Sequence, residues 1–418
     1  MKVKKIGVIG LGYVGLPLAV EFGKKYNTSG YDINHERISQ LKKGIDVTKE
    51  CNSKELKNSK YLSITSDINQ IRDCNIYIVT VPTDIDKYKV PNLKPILNAS
   101  RMIGSILKKD DIVIFESTVY PGCTEDECIP ELEKASNLKY NIDFYCGYSP
   151  ERINPGDKIN TLTKIKKVTS GSNPQIAKFV DDLYKSIIEA GTFLASSIKV
   201  AEASKAIENA QRDLNISFVN ELSLIFDRIG IDTNDVLEAA STKWNFLHFK
   251  PGLVGGHCIG VDPYYLAHKA ESLGYYPEVI LSGRRVNENM SVFVANKLMK
   301  KMINNNINIK KSKVLILGIT FKENCPDIRN TKVIDVYNEL LDLEMDVDVY
   351  DAHADVKEVK TEFSIDLINS FSLYDAIVLA VAHNDFKKLD VRKLLKNKQS
   401  IIFDLKCFLD RKIVDLRM

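Results

Sequence analysis

The feature that most constrains the fold is a glycine pattern near the start of the chain, G-x-G-x-x-G, formed by Gly10, Gly12 and Gly15. An apolar stretch precedes it as a predicted strand, an apolar helical pattern follows, and Asp32 ends the next predicted strand. In this context the first glycine makes a tight turn, the second lets backbone approach a pyrophosphate, and the third allows close helix–strand packing. The pattern therefore predicts a Rossmann-type dinucleotide site. The alternative is a sheet of the same kind that binds no nucleotide.

The residue at the end of the second predicted strand indicates which dinucleotide is bound. The Asp32 carboxylate can accept hydrogen bonds from the ribose hydroxyls and repels a 2′-phosphate, which favours NAD over NADP. Arg37 argues the other way, because a nearby arginine can accommodate a 2′-phosphate. We give the adjacent carboxylate more weight and predict NAD.

Alternation of short apolar strands with helical patterns predicts an α/β fold. Strand patterns at 5–9, 29–31, 76–81, 112–116 and 144–147 alternate with helical ones in the first half of the chain. Residues 196 to about 305 are mainly helical apart from a loop at 250–263. The βα alternation then resumes, with helices around 332–343 and 391–395. The expected architecture is two Rossmann-like doubly wound parallel-sheet domains joined by a central helical domain with one long helix. The predicted domain ranges are 1–195, 196–305 and 306–418.

Charge and cysteine usage exclude several function classes. The net charge is only +3, so we expect no nucleic-acid partner, and short basic clusters at 164–167 and 310–313 are interpreted as solvated. No apolar stretch reaches the ~18 residues that span a bilayer, so we expect no membrane partner. The eight cysteines include no C-x-x-C pair and no zinc-type spacing, which predicts no metal and a reducing, cytoplasmic location.

The long helix carries two different faces. At 100° per residue, Lys205, Asn209 and Arg212 share one stripe. The opposite stripe consists of Ala203, Ile207, Ala210, Leu214 and Phe218. The polar stripe either faces solvent or forms a ridge toward an anionic substrate, and the helix alone does not decide between these interpretations.

A loop rich in glycine surrounds one thiol. Residues 249–263 place Cys258 among four glycines, with His257 beside it and Asp262 four residues beyond. Glycine permits close backbone approach to a ligand, and a thiolate is a strong nucleophile once its formation is assisted. The alternative is a buried structural cysteine in a glycine-rich bend.

Three further segments follow predicted strands and should meet at the carboxyl edge of the first sheet. They are T-V-P-T at 80–83, E-S-T-V-Y-P-G at 116–122 and S-P-E-R at 149–152. Open α/β sheets bind their ligands at this edge. Together these segments supply a hydroxyl, a carboxylate and a guanidinium to one place.

These segments together resemble the UDP-glucose/GDP-mannose dehydrogenase family, over nearly the whole chain and in the expected order. The C-terminal segment F-K-E-N-C-P-D-I-R at 321–329 extends the resemblance. K-W-N-F-L at 243–247 and G-G-H-C-I-G-V-D-P-Y-Y at 255–265 are similar to the branch acting on UDP-N-acetylhexosamines in capsule and O-antigen pathways. Val261 stands where the glucose branch carries a lysine, which puts glucose specificity in doubt. Asp84 replaces a proline that often follows T-V-P-T.

The resemblance implies a four-electron oxidation of a sugar C6 hydroxyl to a uronic acid, with two NAD reduced per sugar. Cys258 would carry thiohemiacetal and thioester intermediates. Lys205 and Asn209 would stabilise the oxyanion, Asp262 would orient water or transfer a proton, Glu151 would be the base, and Thr118 would hold water.

The resemblance also implies ligand contacts and a homodimer on the central helices. Expected cofactor contacts come from Gly10, Leu11, Gly12, Tyr13, Val14, Asp32, Arg37, Val81, Pro82, Thr83, Thr118, Glu151 and Arg329. Expected substrate contacts come from Glu151, Arg152, Lys205, Asn209, Arg212, Phe249, Pro251, Gly252, Gly255 and Lys322. The second sheet should bind UDP, because the turn at 318–322 lacks the second and third glycines of a dinucleotide site.

Other activities stay open. The same mechanism could act on UDP-glucose or UDP-N-acetylmannosamine. A 2-hydroxyacid or 6-phosphogluconate-type dehydrogenase would need no thiol. A nucleotide-sugar epimerase would need a Tyr-x-x-x-Lys pair, for which Tyr265 and Lys269 have the spacing but lie beyond the first sheet. A non-catalytic NAD-sensing or scaffold protein is the remaining alternative.

Overall fold

A computed structural model of the chain describes residues 2–86, 88–153, 159–256 and 259–418. Internal contacts divide the chain into two compact units, Met1–Glu208 with Tyr264–Tyr275, and Asn209–Pro263 with Tyr276–Met418. The division falls within the long helix α7 (Ile198–Ile229). The predicted domain ranges 1–195, 196–305 and 306–418 stay a prediction, because the two units share the helices of the middle segment.

The first unit is built on an eight-stranded sheet. The strands of this half of the chain are β1 (Ile6–Ile9), β2 (Thr28–Tyr31), β3 (Leu62–Thr65), β4 (Ile76–Val79), β5 (Asp84–Ile85), β6 (Pro91–Asn92), β7 (Ile112–Phe115), β8 (Tyr145–Tyr148), β9 (Lys167–Gly171) and β10 (Thr192–Leu194). The sheet order is β10-β9-β8-β7-β4-β1-β2-β3, and β5 pairs with β6 in a separate hairpin. All neighbours in the large sheet are parallel except β8 and β9.

Helices cover this sheet, and every residue of β1, β4 and β7 is buried. Burial of all residues rather than alternate ones is what a parallel sheet covered on both faces requires. The helices before the second sheet are α1 (Gly15–Gly23), α2 (His35–Lys42), α3 (Ser53–Asn58), α4 (Lys94–Gly104), α5 (Ile129–Ser136), α6 (Pro174–Lys185), α7, α8 (Thr233–Ala240), α9 (Asp262–Ser272), α10 (Glu278–Glu288) and α11 (Met290–Asn304).

The second unit contains a five-stranded parallel sheet of order β12-β11-β13-β14-β15. Its elements are β11 (Lys313–Leu317), α12 (Val333–Asp342), β12 (Asp346–Tyr350), α13 (Val356–Phe363), β13 (Ala376–Leu379), β14 (Ile401–Asp404) and β15 (Leu416–Arg417). Val314, Ile316 and Val378 of this sheet pack in one apolar cluster with Val294 and Leu298 of α11.

The predicted fold class is confirmed: two Rossmann-like parallel sheets and a helical region with one long helix. The strands predicted at 5–9, 29–31, 76–81, 112–116 and 144–147 are found within two residues at each end. The sequence did not predict β3, β9, β10, β15 or the hairpin of β5 and β6. A helix predicted at 391–395 is a single 3₁₀ turn, Val391–Leu394. In the described ranges, no helix combines the length and apolarity needed to cross a membrane.

Candidate functional site

The glycine turn joins β1 to α1 and has the geometry of a phosphate-binding loop. Gly10 has φ +93°, in the left-handed region, and the Thr80 hydroxyl donates to its carbonyl at 2.8 Å. A Cβ on Gly15 would lie 1.8 Å from the Gly10 carbonyl oxygen, so no side chain fits there. A Cβ on Gly12 would meet no atom within 4 Å. The space beside Gly12 is therefore open to a ligand, as the approach of a pyrophosphate requires.

Asp32 lies beside this turn, at the end of β2. Its Oδ2 accepts a hydrogen bond from the backbone N–H of Leu11 at 2.8 Å, and its Oδ1 accepts one from Asn34 N–H at 2.8 Å. The two backbone donors hold the carboxylate in place. A carboxylate has further lone pairs for the hydroxyls of a ribose.

Arg37 supports the turn from within the protein. Its side chain is buried, Nε donates to the Leu11 carbonyl at 3.0 Å, and Nη1 lies 2.8 Å from Oδ1 of Asp46. Because Asp46 balances its charge, Arg37 is a poor partner for a 2′-phosphate. This pairing removes the argument for NADP and supports NAD.

Two loops at the carboxyl edge of the first sheet are tied to each other. The Ser117 hydroxyl donates to the Val81 carbonyl at 2.6 Å, and the Thr83 hydroxyl donates to the Thr118 carbonyl at 2.6 Å. Pro82 lies between the two contacts. The structure thus brings together the T-V-P-T and S-T-V-Y-P-G segments, as their positions after strands suggested.

Glu151 and Lys205 form a buried ion pair in the first unit. Lys205 Nζ lies 2.7 Å from Glu151 Oε1, only 1% of the Lys205 side chain is exposed, and Ile153 N–H donates to Glu151 Oε2 at 2.9 Å. Burial would raise the pKa of Glu151, but the charge and hydrogen bond of Lys205, with a contribution from Lys167, outweigh it and hold that pKa below its ordinary value. Glu151 is therefore ionised at neutral pH and can accept a proton.

Lys167 is buried and contacts the turn at residues 149–152. The interpretation of residues 164–167 as wholly solvated was therefore wrong. Its Nζ lies 2.6 Å from Oε2 of Glu116 and donates to the Pro150 carbonyl at 2.9 Å, next to Glu151. Lys164 and Lys166 are exposed, as expected. The antiparallel strand β9 sends its first residue inward, and the linear sequence does not show this.

Asn209 and Asp262 form a second buried pair, in the second unit. Asn209 Nδ2 donates to Asp262 Oδ2 at 2.5 Å, and Arg212 Nη1 donates to Asn209 Oδ1 at 2.7 Å. Asn209 and Asp262 are buried and Arg212 is half-buried. Asp262 begins α9, so the loop predicted at 250–263 ends just before this residue.

The orientation of α7 decides between the two interpretations of its polar stripe. Lys205 and Asn209 are each 1% exposed, whereas Ile207 is 57% and Phe218 56% exposed. Lys205 and Asn209 therefore point inward, whereas Ile207 and Phe218 of the apolar stripe point outward. The solvent-facing interpretation is wrong for Lys205 and Asn209, and the ridge toward an anionic substrate stays a prediction.

Cys258 and His257 lie outside the described residues, and contacts hold the segment of the loop that precedes them. Asn220 Oδ1 accepts from Gly252 N–H at 2.8 Å, and its Nδ2 donates to the Gly252 carbonyl at 3.0 Å. A Cβ on Gly255 would lie 2.5 Å from the Asn330 carbonyl oxygen. Phe249 and Pro251, which open the loop, are half-buried.

The remaining predicted ligand residues belong to different units. Arg152 Nε pairs with Glu208 at 2.5 Å in the first unit. In the second unit, Lys322 lies 5.6 Å from the Phe321 ring centroid, and Arg329 Nε donates to Asp327 at 2.9 Å. Among the described residues, no three His, Cys, Asp or Glu side chains are grouped so as to hold a metal ion.

The Tyr265 and Lys269 pair does not have the arrangement of an epimerase. The Tyr265 hydroxyl donates to the Asp84 carbonyl at 3.1 Å, and Lys269 Nζ lies 3.1 Å from Asp126. The two side chains thus have separate partners. Asp84 belongs to the β5 and β6 hairpin, and its carbonyl is the acceptor for this tyrosine.

Glu202 is a site residue that the sequence reasoning missed. It is fully buried, and its carboxylate accepts from Thr124 N–H at 2.9 Å and from Gly122 N–H at 2.5 Å. It therefore anchors the loop that follows Thr118. The signal was available, because Glu202 precedes Lys205 by three residues and so shares its helix face.

The buried Glu202 should make stability depend on pH. Burial raises its pKa to about 7, against hydrogen bonds from Thr124 and Gly122 that lower it. Because the pKa of Glu202 is higher in the folded state than in the unfolded state, its contribution to stability is fully present below pH ~4.5. That contribution is lost as pH rises through 7. We expect the free energy of unfolding of wild type, relative to Glu202→Gln, to fall by about 2–3 kcal/mol between pH 5 and pH 8. Denaturant unfolding of both proteins at several pH values measures this difference in the free energy of unfolding. A difference that does not change with pH would contradict the prediction.

The glycine turn gives a second prediction with an internal control. Gly12→Ala should leave the melting temperature unchanged, because the new methyl meets no protein atom, but should weaken NAD binding about tenfold or more. Gly15→Ala should destabilise the fold by about 2–3 kcal/mol, because its Cβ collides with backbone. Thermal unfolding and NADH fluorescence titration measure these effects. Equal effects of the two variants on NAD binding and stability would contradict the assignment.

Comparisons with known proteins agree with this geometry. Sequence profiles of the UDP-glucose/GDP-mannose dehydrogenase family match the chain three times: the NAD binding domain at residues 4–188, the central domain at 199–289 and the UDP binding domain at 315–411. UDP-N-acetyl-D-glucosamine 6-dehydrogenase of Pseudomonas aeruginosa is 56% identical over 100% of both chains. The enzyme of the same name from Salmonella typhi is 56% identical over 99% of this chain and 98% of its own.

A solved structure shares the whole fold. The UDP-D-ManNAc dehydrogenase of Pyrococcus horikoshii superposes with a TM-score of 0.88 at 28% identity, covering 99% of this chain and 97% of the other. Sequence profiles, full-length relatives and fold agree with one another. The chain therefore belongs to the UDP-glucose/GDP-mannose dehydrogenase family.

Proposed function

We propose that this protein is an NAD-dependent 6-dehydrogenase that oxidises UDP-N-acetylglucosamine, or a related UDP-N-acetylhexosamine, to the uronic acid. The observation that carries the proposal is the inward polar face of α7. It presents Lys205 paired with Glu151, and one turn later Asn209 paired with Asp262. Full-length identity of 56% to two UDP-N-acetyl-D-glucosamine 6-dehydrogenases supports the choice of substrate.

Oxidation of a primary alcohol to an acid removes four electrons, so it proceeds through an aldehyde. NAD, bound at the glycine turn, supplies the electron acceptor for both stages, and two are consumed per sugar. The Cys258 thiol adds to the aldehyde carbon to give a thiohemiacetal. Loss of hydride from that carbon leaves a thioester, and water releases the acid and regenerates the thiol.

Lys205 and Asn209 are suited to stabilise the oxygen that gains negative charge in these steps. Lys205 carries a charged ammonium with N–H donors, and its 2.7 Å contact with Glu151 fixes its position. An amide has two N–H donors, and Asp262 accepts one of them from Asn209. Donors fixed before the reaction need no reorganisation when charge develops, which makes such contacts effective in catalysis.

Glu151 is the proposed base for thioester hydrolysis. Its lowered pKa keeps it ionised, and the Lys167 contact to Pro150 fixes the turn that presents it. Thr118 would hold the water, in a loop tied to Thr83. Asp262 would orient water or transfer a proton near the sugar.

The second sheet is proposed to hold UDP rather than a second NAD. Its Asp351, at the end of β12, corresponds in position to Asp32, but its Oδ2 accepts from Ile319 N–H at 2.7 Å and lies 3.1 Å from His383 Nε2. The Asp351 carboxylate is thus enclosed by protein groups. The nucleotide sugar would be bound by Arg152, Arg212, Phe249, Pro251, Gly252, Gly255 and Lys322. Arg329 would contact a cofactor phosphate.

A homodimer on the central helices would cover the exposed apolar stripe of α7. Val200, Ile207, Phe218, Ile225 and Ile229 are all exposed and fall within about 20° of one line along the helix. A helix of a monomeric protein rarely exposes such an apolar stripe to water. Light scattering should give twice the chain mass, and Phe218→Glu should shift the protein toward the monomer.

The cellular setting follows from the chemistry of the product and the thiols. UDP-uronic acids serve as precursors of acidic polysaccharides, so we place the activity in capsule or O-antigen synthesis. The seven described cysteines form no disulfide, which fits a reducing cytoplasm.

A panel of nucleotide sugars tests the substrate assignment. UDP-N-acetylglucosamine, its galacto and manno epimers and UDP-glucose would be compared by initial rates of NADH formation. We expect the highest kcat/KM for UDP-N-acetylglucosamine, at least about tenfold above UDP-glucose. A preference for UDP-glucose would contradict the acetamido assignment, and a preference for the galacto or manno epimer would reassign the sugar within the same mechanism.

A further inference from the structure

The inward face of α7 continues beyond Asn209 with two more buried polar residues, Asp213 and Asn220. The three positions are spaced i, i+4 and i+11, so they share one helix face along about 16 Å of axis. Asn209 binds Asp262, the first residue after the cysteine loop, and Asn220 binds Gly252 near the start of the loop. One helix face in the second unit thus holds both ends of that loop.

Asn220 binds Gly252 with both ends of its amide. Its Oδ1 accepts from Gly252 N–H at 2.8 Å and its Nδ2 donates to the Gly252 carbonyl at 3.0 Å. The asparagine thus pairs both backbone groups of a buried glycine, as a neighbouring strand would. This pairing requires that the Asn220 amide have one orientation and not its flipped alternative.

A buried carboxylate sets that orientation through a second amide. Asp213 Oδ1 only accepts, and it receives Nη1 of Arg284 at 2.6 Å and Nδ2 of Asn287 at 2.7 Å. The amide oxygen of Asn287 is therefore directed to Asn220, whose Nδ2 donates to it at 2.8 Å. Along the order Asp213, Asn287, Asn220 and Gly252, a nitrogen of each residue donates to a side-chain oxygen of the residue before it. The network therefore has one consistent hydrogen-bond direction.

The same network reaches a second point of the loop, closer to the cysteine in sequence. Arg284 also donates to Glu288, and Glu288 Oε2 lies 2.6 Å from Lys332 Nζ. Two residues before that lysine, the Asn330 carbonyl accepts from Gly256 N–H at 3.1 Å. The loop is thus connected to the Arg284 network at Gly252 and near Gly256.

We infer that Asp213, Asn287 and Asn220 form a positioning relay that sets the cysteine loop for thiol addition to the aldehyde. The inference rests on the proposed function. The three residues act through Gly252 and the loop, and the capture of the aldehyde depends on them more than the first oxidation does. Loss of the relay should therefore let aldehyde escape before its second oxidation.

Asn220→Asp is the direct test, because it keeps the size of the side chain and replaces the N–H₂ donor with oxygen. That oxygen would face two acceptors, the Gly252 carbonyl and the Asn287 amide oxygen. We expect kcat for acid to fall about tenfold or more and NADH per UDP-N-acetylglucosamine to fall from two toward one. The missing product should be recovered as aldehyde trapped by hydroxylamine. Asn215→Asp is the matched control, because among the described residues Asn215 on the same helix donates to the Gln211 carbonyl and not to the loop.

A charge swap tests the direction of the relay and covers the case in which Asn220→Asp does not fold. Asp213→Asn alone removes the fixed acceptor and should lower the NADH ratio. Adding Asn287→Asp restores an acceptor for Asn220 Nδ2, keeps the net charge, and should restore the ratio toward two. No rescue, or a ratio of two with a wild-type rate in Asn220→Asp, would overturn the relay and leave the proposed function standing. A ratio of one in wild type would instead overturn the proposed function.

Discussion

Replacing Lys205 with methionine is expected to lower kcat by about 10³-fold or more. The variant keeps the length of the side chain and removes the charged donor proposed to stabilise the oxyanion. It also leaves Glu151 buried without its 2.7 Å partner. The pKa of Glu151 should rise, since the largest opposing influence on it is burial. Removing one partner of a buried ion pair should also cost about 3–5 kcal/mol of stability. Steady-state kinetics and thermal unfolding measure both effects.

Two further variants separate catalysis from stability in this prediction. Lys199→Met, on the same helix, removes an exposed lysine whose ion-pair partner Glu125 is 3.6 Å away, and should leave kcat and melting temperature unchanged. Lys205→Met combined with Glu151→Gln removes both charges and should recover much of the lost stability without recovering activity. A Lys205→Met enzyme that retains kcat within tenfold of wild type would contradict the proposed role.

Replacing Cys258 with serine is expected to abolish release of the uronic acid, with acid formation reduced by at least about 10³-fold. A serine hydroxyl ionises far less readily than a thiol and makes a poorer leaving group from an ester than a thiolate does from a thioester. The variant should stall after the first stage. Mass spectrometry of the protein and sugar pool would show whether an aldehyde-level intermediate stays bound.

Cys407→Ser is the matched control for this prediction, because Cys407 is a half-buried cysteine that no step of the proposal uses. It should behave as wild type. The comparison also separates the proposal from a 2-hydroxyacid or 6-phosphogluconate-type dehydrogenase, which needs no thiol. Normal acid release by Cys258→Ser would falsify the covalent mechanism.

Features of the fold that depend on local sequence were predictable. The turn of Gly10, Gly12 and Gly15 has a steric cause within six residues, and the parallel sheets follow from βα alternation. Strands β9 and β10 were not predicted, because β9 reverses the sheet direction beside β8. Tertiary packing sets that reversal, and the reversal also buries Lys167 against Glu116.

The candidate site shows the same limit. Helical periodicity grouped Lys205 with Asn209, but it could not tell which side of α7 is buried, because Ile207 and Phe218 of the opposite, apolar stripe are nevertheless exposed. Contacts between distant residues were not predictable either. Asn220 contacts Gly252, 32 residues away in sequence, and Asp213 contacts Asn287, 74 residues away. Neither contact can be predicted from the spacing of neighbouring residues.

The most direct test of the central claim is the number of NADH molecules formed per UDP-N-acetylglucosamine consumed. Absorbance at the NADH band, with the sugar limiting and the product identified by mass spectrometry, gives this ratio without a variant. A four-electron oxidation through the thiol predicts two NADH and a uronic acid. One NADH per sugar, with an aldehyde or ketone as the final product, would contradict the oxidation to an acid and with it the role of Cys258.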